Sequence, residues 1–153
     1  MSRYELRTID EDNVHDVLAV AVATEQRRFV ADVAVSLAEA YVDEAAWPRA
    51  IADGGRIVGF VMGGFRPEPP PWWDEGPLDA VWRLNIDAAY QGRGVGRFAV
   101  AEVAAEAGRR GASRLTVFYL DGTGGPGPFY DALGFVRDGQ MLGDQVVAHL
   151  PLS

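Results

Sequence analysis

Apolar and polar residues alternate from Tyr4 to Ile9 (YELRTI), which predicts a strand. Asp10–Asn13 offers cap chemistry for a helix through residues 14–29, with Val14, Leu18, Val22 and Phe29 on one face. A second helix is expected over Val35–Ala46, stopped at Trp47-Pro48, since a residue before proline is biased away from helix. The apolar runs flanking Gly54-Gly55 read as a β-hairpin. Residues 66–79 (RPEPPPWWDEGPLD) place four prolines between Arg66 and Pro71 and read as a surface loop. Trp72 and Trp73 are expected to be exposed there or folded over a pocket.

The second half continues with a strand at Ala80–Asp87 and a helix at Gly94–Arg110. Val95, Phe98, Val103 and Ala107 point inward on that helix, and Glu106 pairs with Arg110 outside. A strand at Arg114–Leu120 leads through a glycine-proline loop to the short helix FYDAL, capped by Gly134. Phe135 opens a further strand, and Gln145–Leu150 forms the last. The order β-α-α-β-β-β-α-β-α-β-β predicts an α/β (α+β) fold: one mixed, mostly antiparallel twisted sheet with helices on both faces. No repeat or long linker interrupts the 153 residues, so one domain is expected, large enough to need no metal or disulfide.

Composition narrows the chemistry. The chain has no cysteine and no lysine; all 14 bases are arginine. Thiolate nucleophiles, Schiff bases and the P-loop lysine are excluded. His15 and His149 cannot form an HExxH zinc pair, and no serine sits in a G-x-S-x-G elbow. Backbone amides, carboxylates, tyrosine and arginine remain. The net charge is −8, and 14 of the 22 acids precede Pro77. Nucleic acid is therefore an unsuitable partner, and a cationic small molecule a natural one. No apolar stretch approaches the roughly 20 residues of a membrane span, and the N-terminus has no apolar signal core. No membrane partner and a cytoplasmic location are expected.

The most informative segment is Asn85-Ile-Asp-Ala-Ala-Tyr-Gln-Gly-Arg-Gly-Val-Gly96, a strand feeding three glycines and then a helix. Glycine lets backbone approach a ligand, and free N–H groups at a helix start attract an anion such as pyrophosphate. The spacing is G-x-G-x-G, not the dinucleotide G-x-G-x-x-G, and no G-K-[ST] follows. Gln91, Gly94 and Gly96 instead match Q/R-x-x-G-x-G/A in full. This resembles the coenzyme-A loop of the GNAT (Gcn5-related) N-acetyltransferases. Phe129-Tyr-Asp-Ala-Leu-Gly-Phe135 is similar to the F-Y-x-x-L-G-F of the same family, one strand after the loop. The resemblance runs from Tyr4 to Leu150. Within the family the chain looks most like bacterial diamine and spermidine acetyltransferases, through T-E-Q-R-R-F-V-A-D, S-L-A-E-A-Y and W-R-L-N-I-D.

The resemblance implies a sheet splayed at an acetyl-CoA site, between the strand before Asp87 and the strand from Arg114. Backbone groups of Leu84, Asn85 and Ile86 would pair with pantetheine, and Gln91, Gly92, Arg93, Gly94, Val95, Gly96 and Arg97 would hold pyrophosphate. Thr123 falls where relatives place a cofactor-contacting Asn. Tyr130 matches the tyrosine that protonates the leaving thiolate; its other reading is packing beside Phe129. No acid precedes the loop within Val81–Leu84, so the base stays open among Asp87, Glu25, Glu39 and water. Glu25, Glu39 and Trp82 are candidate substrate contacts, and Trp72, Trp73 and Tyr41 a candidate aromatic pocket for a cation. His149 is a further candidate, while His15 reads as surface.

The expected activity is acetyl transfer to a primary amine, first a polyamine, by a homodimer. Two alternatives stand beside it: another acceptor (an amino acid, an aminoglycoside or a protein amine), or a non-catalytic acyl-CoA-binding regulatory domain.

Overall fold

The structure, a computed structural model, describes residues 2–153. Seven strands form one sheet in the order β1-β2-β3-β4-β5-β7-β6. They are β1 (Tyr4–Arg7), β2 (Ala46–Asp53), β3 (Arg56–Arg66), β4 (Leu78–Ile86), β5 (Arg114–Leu120), β6 (Val136–Leu142) and β7 (Gln145–Pro151). Every neighbouring pair is antiparallel except β4 with β5. The helices are α1 (Val14–Leu18), α2 (Val33–Val42), α3 (Val95–Arg109) and α4 (Gly127–Ala132), with 3₁₀ segments at Thr24–Phe29 and Ala88–Tyr90.

The order of helices and strands agrees with the sequence expectation; some boundaries do not. The long helix expected over residues 14–29 breaks after Leu18. The carbonyl of Ala21 accepts from the Ala88 amide (2.9 Å), a backbone group that a continuous helix would have used internally. The second helix ends at Val42, and the chain is already in β2 at Ala46. Pro48 is accepted inside β2 because β1 reaches only to Ala50, so no ladder bond is lost on that side. Gly54 makes the hairpin turn at φ +59°, joining Asp53 to Arg56.

Two layers of side chains cover the sheet. On one face α3 buries Val95, Ala99, Val103 and Ala107 against Val61, Val81, Val117 and Ala148. On the other, the α1–α2 region covers Ala50, Phe60 and Met62, and Trp73 of the proline loop covers Ala80 and Val147.

The one parallel junction fixes the site. β4 and β5 pair only at Ala80 with Thr116 and Val81 with Val117, and then separate. A bulge sits there: Met62 opposes Arg83 and Gly63 opposes Val81, leaving Trp82 as the extra residue. Val81 and Leu84 both meet the α3 core. Trp82 and Arg83 both turn to the other face, where Trp82 packs on the second cluster and Arg83 reaches Glu39 on α2.

Candidate active site

A cleft of about 1100 Å³ opens where β4 and β5 part. The β4 lip is prepared by its hydrogen bonding. The Asp87 amide donates to the Val58 carbonyl (3.0 Å), continuing the register Ile86–Gly59, Asn85–Phe60 and Leu84–Val61. Antiparallel ladders alternate, so the main chain of Asn85 faces β3, while the N–H and C=O of Leu84 and Ile86 face the gap. Gln91 Nε2 already donates to the Ile86 carbonyl (3.1 Å). The Asn85 side chain is buried and donates to the Ala31 carbonyl (3.0 Å).

The loop after β4 turns on two left-handed glycines, Gly92 (φ +75°) and Gly94 (φ +82°). Asp87 caps the preceding 3₁₀ turn, its Oδ1 accepting from the Ala89 amide (3.1 Å), and so shapes the turn outside the cleft lining. Tyr4 Oη donates to the Arg93 carbonyl (3.0 Å) and anchors the loop from β1. The first bond into α3 runs from the Phe98 amide to the Gly94 carbonyl (3.0 Å). The amides of Val95, Gly96 and Arg97 are thus left free by the helix, at its positive dipole end. A Cβ on Gly96 would stand 3.1 Å from Phe129 Cζ, so glycine is what lets α4 close on α3.

The opposite lip carries Tyr119 on β5 and Tyr130 on α4. Their rings stack at 5.5 Å, and Tyr130 meets Phe129 and Phe135 edge-on at 5.0 and 5.4 Å. Both line the cleft. Burial holds the Tyr130 phenol far above its ordinary pKa, with Tyr119 adding to the shift. Tyr119 is also raised, chiefly by burial, and its buried hydroxyl has no hydrogen-bond partner among the described residues.

A strap crosses from lip to lip. Gln26 and Gln91 exchange two amide hydrogen bonds (2.9 and 2.6 Å). Arg28 donates to the Thr123 carbonyl (3.1 Å), and Phe29 packs at Gly125.

Among the described residues, no Asp, Glu or His lines the cleft, whereas Arg27, Arg28, Arg66, Arg83 and Arg97 do. Glu25 is exposed away from it. Glu39 binds Arg83 (3.0 Å) instead of lining the wall. Of the other sequence candidates, Leu84, Ile86, Gln91, Gly92, Gly94, Val95, Gly96, Arg97 and Tyr130 are brought together around the cleft, with Trp82 and Trp72 at its other end. Thr123 contributes its carbonyl to Arg28, and the Arg93 side chain lies 5.1 Å from the Tyr90 ring centre, outside the lining. Trp73 is core, Tyr41 is 90% exposed on α2, and His15 is exposed. His149 bonds Thr116 and Asp138 (2.8 Å each), away from the lining.

The model of the acetyltransferase (GNAT) family matches residues 23–135. The chain belongs to that family. No curated protein matches it in sequence. Among solved structures, this GNAT chain is similar to the GNAT domain of S. lividans PAT (17% identity, 96% of this chain and 89% of that one, TM-score 0.73). It is also similar to a Bacillus subtilis acetyltransferase in complex with CoA (16%, 99% and 99%, 0.66). A third is the PaiA N-acetyltransferase of Thermoplasma acidophilum in complex with coenzyme A (12%, 99% and 99%, 0.68). At these identities the likeness is one of fold.

The acetyl-CoA implied by a GNAT domain fits what the chain offers. Main-chain groups of Leu84 and Ile86 turned to the gap, the Ile86 carbonyl already shared with Gln91, suit an amide-bearing strip, and free amides between glycines suit a pyrophosphate. A cleft wall free of carboxylates suits a polyanion. The strap residues Gln26, Arg28 and Phe29, and Tyr119, are site-forming residues that sequence reasoning missed. The length of the side-chain reach from Gln26 to Gln91, 65 positions apart, left no local signal.

Proposed function

We propose that the protein transfers an acetyl group from acetyl-CoA directly to a primary amine, with Tyr130 as general acid. The observation that carries this is the place of Tyr130: a phenol on the cleft wall, on the lip opposite Leu84 and Ile86, that carries its proton at neutral pH as a tyrosine ordinarily does. Bound acetyl-CoA supplies the acetyl group as a thioester and accepts a proton at sulfur as the thiol leaves. The amides of Gly92–Arg97 hold its pyrophosphate, and the main-chain groups of Leu84 and Ile86 hold its pantetheine arm. Tyr130 gives its proton to the departing sulfur and regains one from solvent. Direct transfer agrees with a chain that has no cysteine to carry an acyl group.

No carboxylate or histidine lines the cleft among the described residues, so no side chain there serves as base. The amine arrives neutral or loses its proton to water. A free alkyl ammonium has a pKa of about 10.4, so kcat/KM rises about tenfold per pH unit through neutrality. The test is thiol release from acetyl-CoA against a panel of primary amines, with the product identified by mass. Tight CoA binding with no turnover on any amine would favour the regulatory-domain alternative.

A further inference from the structure

The acceptor end of the cleft has the wrong sign for a polycation. The chain carries −8 overall, yet arginine is the only ionic side chain on the cleft wall among the described residues. Arg83 stands at the β4 bulge, on the face opposite α3. Arg66 lies at the end of β3 that opposes Leu78, eight residues along β4 from Ile86 and so remote from the glycine loop. Their guanidinium carbons are each 5.4 Å from the Trp82 ring centre, so Trp82 joins them in one cluster.

Two carboxylates hold the pair from behind. Asp43, capping α2, takes Arg66 Nη2 at 2.7 Å, and Glu39 takes Arg83 Nη2 at 3.0 Å. Arg83 Nη1 spends a further N–H on the Trp82 carbonyl (3.3 Å). A guanidinium has five N–H groups in a rigid fork, so each arginine is fixed and still has donors to give. Burial lowers the Arg83 pKa and Glu39 only partly offsets it, so a further anion at its free N–H groups would favour the charged form.

We propose that the acceptor is a primary amine that also bears a carboxylate, and that Arg83, with Arg66, receives that carboxylate beside Trp82. The inference rests on the acetyltransferase reading of the same cleft. A second oxyanion completes the forks, as charge-assisted bonds to guanidinium are short and directional. A polyamine would bring only cations to this wall.

The test compares acceptors in pairs that differ only in carboxylate against carboxamide, such as ω-amino acids and their amides, with spermidine alongside. CoA affinity is measured separately by calorimetry. The expected kcat/KM favours the carboxylate by about ten- to hundredfold, the size of a charged hydrogen bond. Arg83→Gln should bring that ratio close to one, and Arg83→Lys should keep part of it. The double variant Arg83→Gln with Glu39→Gln leaves no unpaired charge and guards against misfolding. In the absence of turnover, the same pairs are titrated into the CoA-loaded protein, and the carboxylate should bind more tightly. Equal use of acid and amide, preference for spermidine, or a ratio untouched by Arg83→Gln overturns the proposal while leaving acetyl transfer standing. Failure to bind CoA overturns both.

Discussion

Tyr130 is packed like a core residue and placed like a reagent. Its ring is 6% exposed among three other aromatics, yet it lines the cleft. Tyr130→Phe keeps the ring and removes the hydroxyl with its proton. Turnover should fall about 10²–10⁴-fold while CoA affinity stays within a few-fold; steady-state kinetics beside calorimetry separate the two. A variant that turns over near the wild-type rate would leave Tyr130 as packing alone. The glycines differ from one another at the same scale. At Gly94 the barrier is φ +82° with open space around it, whereas at Gly96 it is the Phe129 ring. Gly94→Asp combines a strained backbone with an anion facing the proposed pyrophosphate site, so it should weaken CoA binding at least tenfold; undiminished affinity would refute the loop assignment.

At the scale of elements, the strap at 24–31 joins lips that belong to different halves of the sheet. Gln26→Ala removes the amide exchange with Gln91 and the bond from the Ala23 amide to Gln26 Oε1 (3.1 Å). Each lost bond is worth about 1 kcal/mol to the strap, and with about one bond's worth passed on to the cofactor, CoA affinity should drop about three- to tenfold. Amide exchange over 24–31 should speed up, and exchange unchanged there would show that the strap is held by other contacts. The strap also shows what the sequence left unread. Residues 14–29 contain no proline or glycine, so local periodicity favours one helix. What breaks it is long-range: the Ala21 carbonyl at Ala88, Gln26 at Gln91 and Arg28 at Thr123. The glycine loop and the FYDALGF helix were legible because backbone geometry writes itself into glycine spacing. The cleft's charge was not, because composition counts acids without saying which way they point. Glu25 faces solvent, while Glu39 and Asp43 are spent on arginines.

For the whole molecule, the burial that raises the Tyr130 pKa makes stability fall at alkaline pH. At the acid end two effects oppose each other. Asp43 is lowered by the Arg66 hydrogen bond, so its contribution is present above its unfolded pKa and fades as pH falls toward and below it. Asp79 is raised by burial and works in the opposite sense. Tyr130 has no such counterweight: burial and Tyr119 both push its pKa up. An unfolded tyrosine titrates at about 10, while the folded one still holds its proton. Above that pH the unfolded chain has therefore released a proton that the folded chain keeps, and stability declines as pH rises. One such group gives a slope of about 1.4 kcal/mol per pH unit, starting near pH 10. Tyr119, raised by burial but moderated by Arg137, adds to it in the same direction. Denaturant midpoints followed from neutral pH to above pH 10 should show a plateau and then a fall. Tyr130→Phe should flatten that fall by about one proton's worth while leaving the neutral plateau nearly unchanged. If the alkaline slope is the same in both proteins, burial does not raise the Tyr130 pKa in the folded chain.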